Sequence, residues 1–131
     1  MITREASCQC GQLRVQAKGE PTRVSVCHCL DCQKRSGSAF TMQARFPAAQ
    51  IAVAGTAHEW TRRADDGGGA AFSFCPTCGS TVYYRSLAEP EVIAVAVGAF
   101  ADPAFTAPHY SVYEERKHAW LTIGGDIEHY D

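Results

Sequence analysis

Phe74-Cys75-Pro76-Thr77-Cys78-Gly79-Ser80 is a two-thiol bite closed by glycine, and the fold follows from it. Pro76 presets φ in the turn, and Gly79 tolerates the left-handed backbone that aims N–H groups at the first thiol. The C-x-x-C spacing suits two of the four positions around tetrahedral zinc. Phe74 and the strand after Gly79 make the motif the tip of a hairpin. Working outward, Cys8-Gln9-Cys10-Gly11 is a second thiol pair that ends in glycine and precedes a strand. Two such knuckles facing each other would make a four-thiolate site that ties the N-terminus to the middle of the chain.

Three of the seven cysteines remain, in Cys27-His28-Cys29-Leu30-Asp31-Cys32. In an extended segment Cys27 and Cys29 point the same way and His28 points elsewhere, as a solvent-facing or hydrogen-bonding histidine. Cys32 returns through a turn begun near Asp31, where a helix N-terminus lowers thiol pKa values. Four thiolates close a zinc site, whereas three leave a position for water or substrate. Spacing alone leaves the partition open. Cys27, Cys29 and Cys32 could draw a fourth ligand from another cluster, from His109 or from His118, and iron suits the same donors. Disulfides would go with a secretory signal, and Met1-Ile2-Thr3-Arg4-Glu5 has no apolar signal core. A thioredoxin-like pair would want a βαβ setting that Gly79 and the following strand do not supply.

The 131 residues are expected to form one zinc-binding domain, 1–131. A net charge of −2 and the absence of a long basic stripe argue against a nucleic-acid partner. The longest apolar run, Val92 to Val97 continuing to Phe100, is too short to cross a bilayer, so no membrane role is expected. Reduced cysteines point to the cytoplasm.

Apolar and polar residues mostly alternate, which predicts a mainly β protein. Leu13 to Ala17, Val24 to Cys27 and Phe40 to Phe46 alternate, with Pro47 as a stop. Ile51 to Ala54 is a short strand closed by Gly55. His58 to Arg63 and Ala70 to Phe74 flank Asp65-Asp66-Gly67-Gly68-Gly69, a hairpin signal. Thr81 to Arg85 is rich in β-formers, Val92 to Val97 is continuous enough to be buried on both faces, and Trp120 to Ile123 suggests a last strand. The one helical candidate is a turn or two over Asp31 to Ser36. Trp60, Tyr83, Tyr84 and Trp120 are expected as sheet-face or core residues, and Phe40 beside the Cys32 turn.

These motifs, in this order, resemble the glutathione-dependent formaldehyde-activating enzymes, also called the centromere protein V-type domain. The residues that carry the resemblance include Cys8-Gln9-Cys10-Gly11, Cys27-His28-Cys29-Leu30-Asp31-Cys32-Gln33-Lys34, Ser36-Gly37-Ser38-Ala39-Phe40 and Phe74 to Ser80. Gly98-Ala99-Phe100-Ala101-Asp102-Pro103, Pro108-His109 and Trp120 complete it. The resemblance implies an Mss4-like (β-tent) zinc-binding fold of packed small antiparallel sheets with zinc knuckles. It implies two Zn²⁺ sites: a structural one on Cys8, Cys10, Cys75 and Cys78, and a catalytic one on Cys27, Cys29 and Cys32. The activity it implies is that of a carbon–sulfur lyase resembling S-(hydroxymethyl)glutathione synthase, which forms or cleaves a thiol–aldehyde adduct.

The implied partners are a small thiol such as glutathione and an aldehyde such as formaldehyde. The two carboxylates of glutathione need cationic partners, and Lys34 and Arg35 beside the open cluster are the candidates. Arg62 and Arg63 are read as solvated surface charges. Ser36-Gly37-Ser38 could offer N–H groups to an anion or simply turn. The competing functions are a non-catalytic zinc-stabilised binding module, with both metals structural, and a redox sensor that releases zinc on thiol oxidation.

Overall fold

The computed structural model describes residues 1–63, 65 and 68–131. Its strands are β1 (Thr3–Ser7), β2 (Arg14–Lys18), β3 (Arg23–Cys27), β4 (Thr41–Pro47), β5 (Ile51–Ala54) and β6 (His58–Arg63). They continue as β7 (Gly69–Phe74), β8 (Thr81–Ser86), β9 (Val92–Ala96), β10 (Tyr110–Val112) and β11 (Glu128–His129). One short helix, α1 (Leu30–Ser36), lies between β3 and β4. The fold is mainly β.

Strands β1, β2 and β5 form a three-stranded antiparallel sheet. The other eight form a mixed sheet in the order β11-β10-β3-β4-β9-β8-β7-β6. The core lies between the sheets. Ala6, Leu13, Val15 and Ala17 from the small sheet meet Val24, Ala44, Phe46, Ile93 and Val95 from the large one. Alternation produces this arrangement, because a strand shows residues i and i+2 to one face. In β4, Ala44 and Phe46 enter the core while Gln43 and Arg45 face away from it. In β3, Val24 does the same opposite Arg23, Ser25 and Cys27. The large sheet therefore has one face on the core and a second, polar face partly covered by α1.

Most predicted strands form where the alternation puts them. The β6–β7 pairing runs from His58↔Phe74 to Arg63↔Gly69. Asp66 and Gly67 of its predicted turn lie outside the described residues. Val92–Ala96 is a central strand, whereas Val97 begins a 3-10 turn over Val97–Phe100.

Trp120 to Ile123 is not a strand. The Leu121 N–H bonds back to the His118 carbonyl at 3.0 Å, and the Trp120 side chain is 72% exposed. Aromatic and β-branched residues there have no neighbouring strand to pair with, and propensity alone does not make a sheet. Instead β10 and β11, which sequence reasoning missed, join the edge of the large sheet in parallel with β3 and β10 respectively. Strand β1 was also missed. Its sequence Thr-Arg-Glu-Ala-Ser is too polar to read as a strand, yet it pairs residue for residue with β2.

Candidate functional site

Two hairpin tips meet at the edge of the core. The β1–β2 connection carries Cys8 and Cys10, and the β7–β8 connection carries Cys75 and Cys78. The four sulfurs all lie within 4.8 Å of one another. Cys8 and Cys10 Sγ are 3.6 Å apart, and Cys10 and Cys75 Sγ 3.7 Å. Tetrahedral Zn–S bonds of about 2.3 Å require sulfurs about 3.8 Å apart, so this donor set fits zinc.

The local backbone is built to hold thiolates. The Leu13 N–H donates to Cys8 Sγ (3.3 Å), and the Thr77 and Cys78 N–H groups donate to Cys75 Sγ (3.3 and 3.5 Å). Gly79, at φ 82°, makes the turn possible, but its own N–H goes to the Cys75 carbonyl rather than to a sulfur. The Gln12 amide adds a 3.0 Å bond to Cys75 Sγ and bonds Thr56 through both its ends. Gly55 admits this approach, since a Cβ there would collide with the Gln12 carbonyl. Burial works against the Cys75 thiolate, but Gln12 and the turn N–H groups bring its pKa down to about 7. Ser80, through its hydroxyl and its N–H, brings Cys78 down to about 5.

The second cluster stands where β3 passes into α1. Cys27, Cys29 and Cys32 sulfurs also lie within 4.8 Å of one another, and among the described residues no fourth His, Cys, Asp or Glu joins them. Cys29 caps α1 by accepting the Cys32 N–H at 3.3 Å, and Gly37 closes the helix at φ 69°. A hydrogen bond to Cys32, reinforced by burial, pushes the Cys27 thiol up. The same bond, opposed by burial but helped by the Thr41 hydroxyl and the Arg35 charge, brings Cys32 down to about 5. Three convergent sulfurs, one of them with a lowered pKa, are a donor set that fits zinc.

His28 does point away from its neighbours, but into the protein. It is fully buried, its Nε2 lies 2.8 Å from Ser111 Oγ, and its ring packs near Phe40. The solvent-facing alternative is thereby corrected. Its N–H bonds the Val112 carbonyl at 3.1 Å, which fastens the cluster to β10. His109 Nδ1 accepts from the Val24 N–H, and His118 Nε2 meets Gln33 Oε1 at 2.9 Å, so both histidines are engaged away from the cluster.

All three cysteines line a cleft of about 680 Å³ on the polar face of the large sheet. Among the described residues, Arg23, Arg35, Arg45 and Arg62 face it, against the carboxylates of Asp31 and Glu89. A chain of net charge −2 thus gathers cations at this one face. The interior is ordered by a polar chain: Thr41 Oγ1 donates to Gln43 Oε1 (3.1 Å), and Gln43 Nε2 and Arg45 Nη1 both donate to Ser25 Oγ (2.9 and 3.0 Å). Tyr84 also lines the cleft, and burial raises its pKa to about 12, so it remains a neutral hydroxyl.

Of the two predicted cationic contacts, Arg35 lines the cleft, with its guanidinium 4.4 Å from the Phe72 ring centre. Lys34 lines only a smaller adjoining cavity. Of the two arginines read as solvated charges, Arg63 is exposed, whereas Arg62 is partly covered, pairs with Asp31 of α1 at 3.4 Å and lines the cleft. Ser36-Gly37-Ser38 is a turn: Gly37 N–H goes to the Gln33 carbonyl and Ser38 N–H to Ser36 Oγ. Arg45 and Arg23 were missed. Their signal was an arginine on the off-core face of each of two paired strands.

No helix among the described residues is long and apolar enough to cross a membrane. No curated protein matches the chain. A crystal structure of a Rhodobacter sphaeroides protein is similar in fold, with a TM-score of 0.55 and 20% identity over 72% of this chain and 85% of that one. The family model for glutathione-dependent formaldehyde-activating enzymes matches residues 3–116, a span that holds both thiol clusters and every described residue lining the cleft. The chain belongs to the glutathione-dependent formaldehyde-activating enzyme family.

Proposed function

We propose that the protein is a zinc-dependent carbon–sulfur lyase that forms or cleaves the adduct of an anionic thiol, glutathione being the leading candidate, with an aldehyde. The observation that carries this reading is the meeting of a three-thiol cluster with an arginine-lined cleft. In the forward direction the thiolate sulfur attacks the carbonyl carbon, a C–S bond forms, the C=O π pair moves to oxygen, and one proton ends on that oxygen. Zinc, when bound by Cys27, Cys29 and Cys32, would supply a Lewis acid that favours thiolate and polarises a carbonyl.

The chain's own residues bind and orient. Arg23, Arg35 and Arg45 offer paired N–H groups that match carboxylates, and Lys34 adds a cation in the adjoining cavity. The Ser25–Gln43–Thr41 chain holds Arg45 in place. Tyr84, kept neutral, can donate a hydrogen bond to a carboxylate or to the nascent oxygen anion. The volume of the cleft falls within the ordinary range for small-molecule sites. Cys8, Cys10, Cys75 and Cys78 are assigned a structural zinc in an Mss4-like fold, and the whole chain is taken as one cytoplasmic domain.

The test is exchange NMR on zinc-loaded protein with formaldehyde and a panel of thiols. The expected result is faster adduct exchange with glutathione than without protein. Uncatalysed rates with every thiol would sink the proposal and favour a non-catalytic binding module.

A further inference from the structure

A second cavity, of about 330 Å³, opens beside Cys32 between α1 and the β6–β7 edge of the large sheet. Trp60 and Phe72 line it, with Lys34, Arg35 and Arg62 alongside. The two aromatic rings are stacked, 5.9 Å apart and 22° from parallel. Trp60 lies on an edge strand and is 53% exposed, a large apolar surface left open to water. Cys32, Arg35, Arg62 and Phe72 line the large cleft as well, so the two cavities meet at the thiol cluster.

We infer that this cavity takes an apolar substituent, aromatic above all, carried by the aldehyde half of the adduct. The inference rests on the proposed thiol–aldehyde chemistry and deepens it: the substrate aldehyde is larger than formaldehyde. A one-carbon aldehyde would leave the cavity empty, whereas a thiol seated among the cleft arginines directs the aldehyde's substituent past Cys32. Burying an apolar group against exposed aromatic surface is favourable. An aryl group also gains from neighbouring guanidinium charges, as the Phe72 ring already does with Arg35 at 4.4 Å.

The test is calorimetric binding of S-methylglutathione and S-benzylglutathione, stable stand-ins for small and large adducts, to zinc-loaded protein. S-benzylglutathione is expected to bind at least about tenfold more tightly, a difference of about 1.4 kcal/mol. Trp60→Ala should erase most of that preference, and Trp60→Leu should keep part of it. Equal affinities, or a preference that survives Trp60→Ala, would overturn the inference. If neither thioether binds, the thiol reading itself fails, and benzyl alcohol then reports on the cavity alone. A shift of the Trp60 indole resonance without one at Trp120 would support an aromatic site, and no shift would overturn it.

Discussion

The two thiol clusters use the same chemistry in opposite settings. The four-cysteine clasp joins two hairpin tips distant in sequence, with Cys8 and Cys75 buried in the core and only Cys10 exposed. Backbone N–H groups and the Gln12 amide reach its sulfurs from several sides. The three-cysteine cluster comes from one short stretch of chain and lines an arginine-rich cleft. A metal in the first place would be backed by the core through Cys8 and Cys75 and held by all four sulfurs. In the second place it is beside the space a substrate would fill. The number of thiols and the side of the sheet on which they stand separate fastening from access.

The hardest test of that contrast is to remove one sulfur from each cluster. A structural zinc contributes about 10–16 kcal/mol of apparent binding energy, as much as the roughly 5–15 kcal/mol stability of a typical domain. Cys75→Ser is therefore expected to yield protein without a cooperative melting transition. Cys27→Ser should remain folded, keep one zinc by elemental analysis, and lose adduct exchange. Equal damage from both substitutions would end the division of labour.

A gentler measurement sharpens the same contrast. Zinc transfer to a chromogenic chelator should proceed in two phases, the fast one missing in Cys27→Ser. Loss of supporting contacts around a metal typically costs 10–100-fold in affinity, and the cluster at the cleft has fewer of them, so the phases should differ by about tenfold or more. A single phase would mean that both clusters shield their metal alike.

How far the sequence could anticipate this contrast depends on the range of the forces involved. The clasp was legible because a glycine-closed knuckle is a local structure, made by residues within six positions of each other. The cleft was only half legible. Gln43 and Arg45 alternate with Ala44 and Phe46, which marks an off-core face. Alternation does not distinguish a face open to solvent from one that α1 partly covers. The pairing of Arg62 was hidden for the same reason, since its partner Asp31 lies on a different element, the helix α1, well before it in the chain. Strands β10 and β11 owe their existence to pairing with the edge of the sheet rather than to their own composition.

Arg45 gives a test of the cleft alone. Arg45→Gln keeps a polar side chain but removes the charge. Hydrogen bonds to charged groups contribute about 1.5–3 kcal/mol, so affinity for glutathione should fall about ten- to a hundredfold. Cysteamine, which has no carboxylate, should be affected much less. If both thiols weaken equally, Arg45 shapes the cleft rather than recognising carboxylates.

The smallest expected effect concerns what holds the three-cysteine cluster to the rest of the fold. His28, between two of the thiols, is buried, and its Nδ1 has no hydrogen-bond partner among the described residues. Its Nε2 depends on the fully buried Ser111 of β10. Ser111→Ala would strand that second nitrogen as well, at a cost of about 1–3 kcal/mol. For a chain of this length each kcal/mol corresponds to a Tm change of about 4 °C. The more telling readout is zinc transfer. Since the His28 N–H is also bound to Val112, loosening the ring should accelerate the fast phase. The slow phase should not move, because the clasp is fastened by Gln12 and its own turns rather than by β10. Equal acceleration of both phases would show that the clusters are coupled through the sheet, and the contrast between them would then be one of degree.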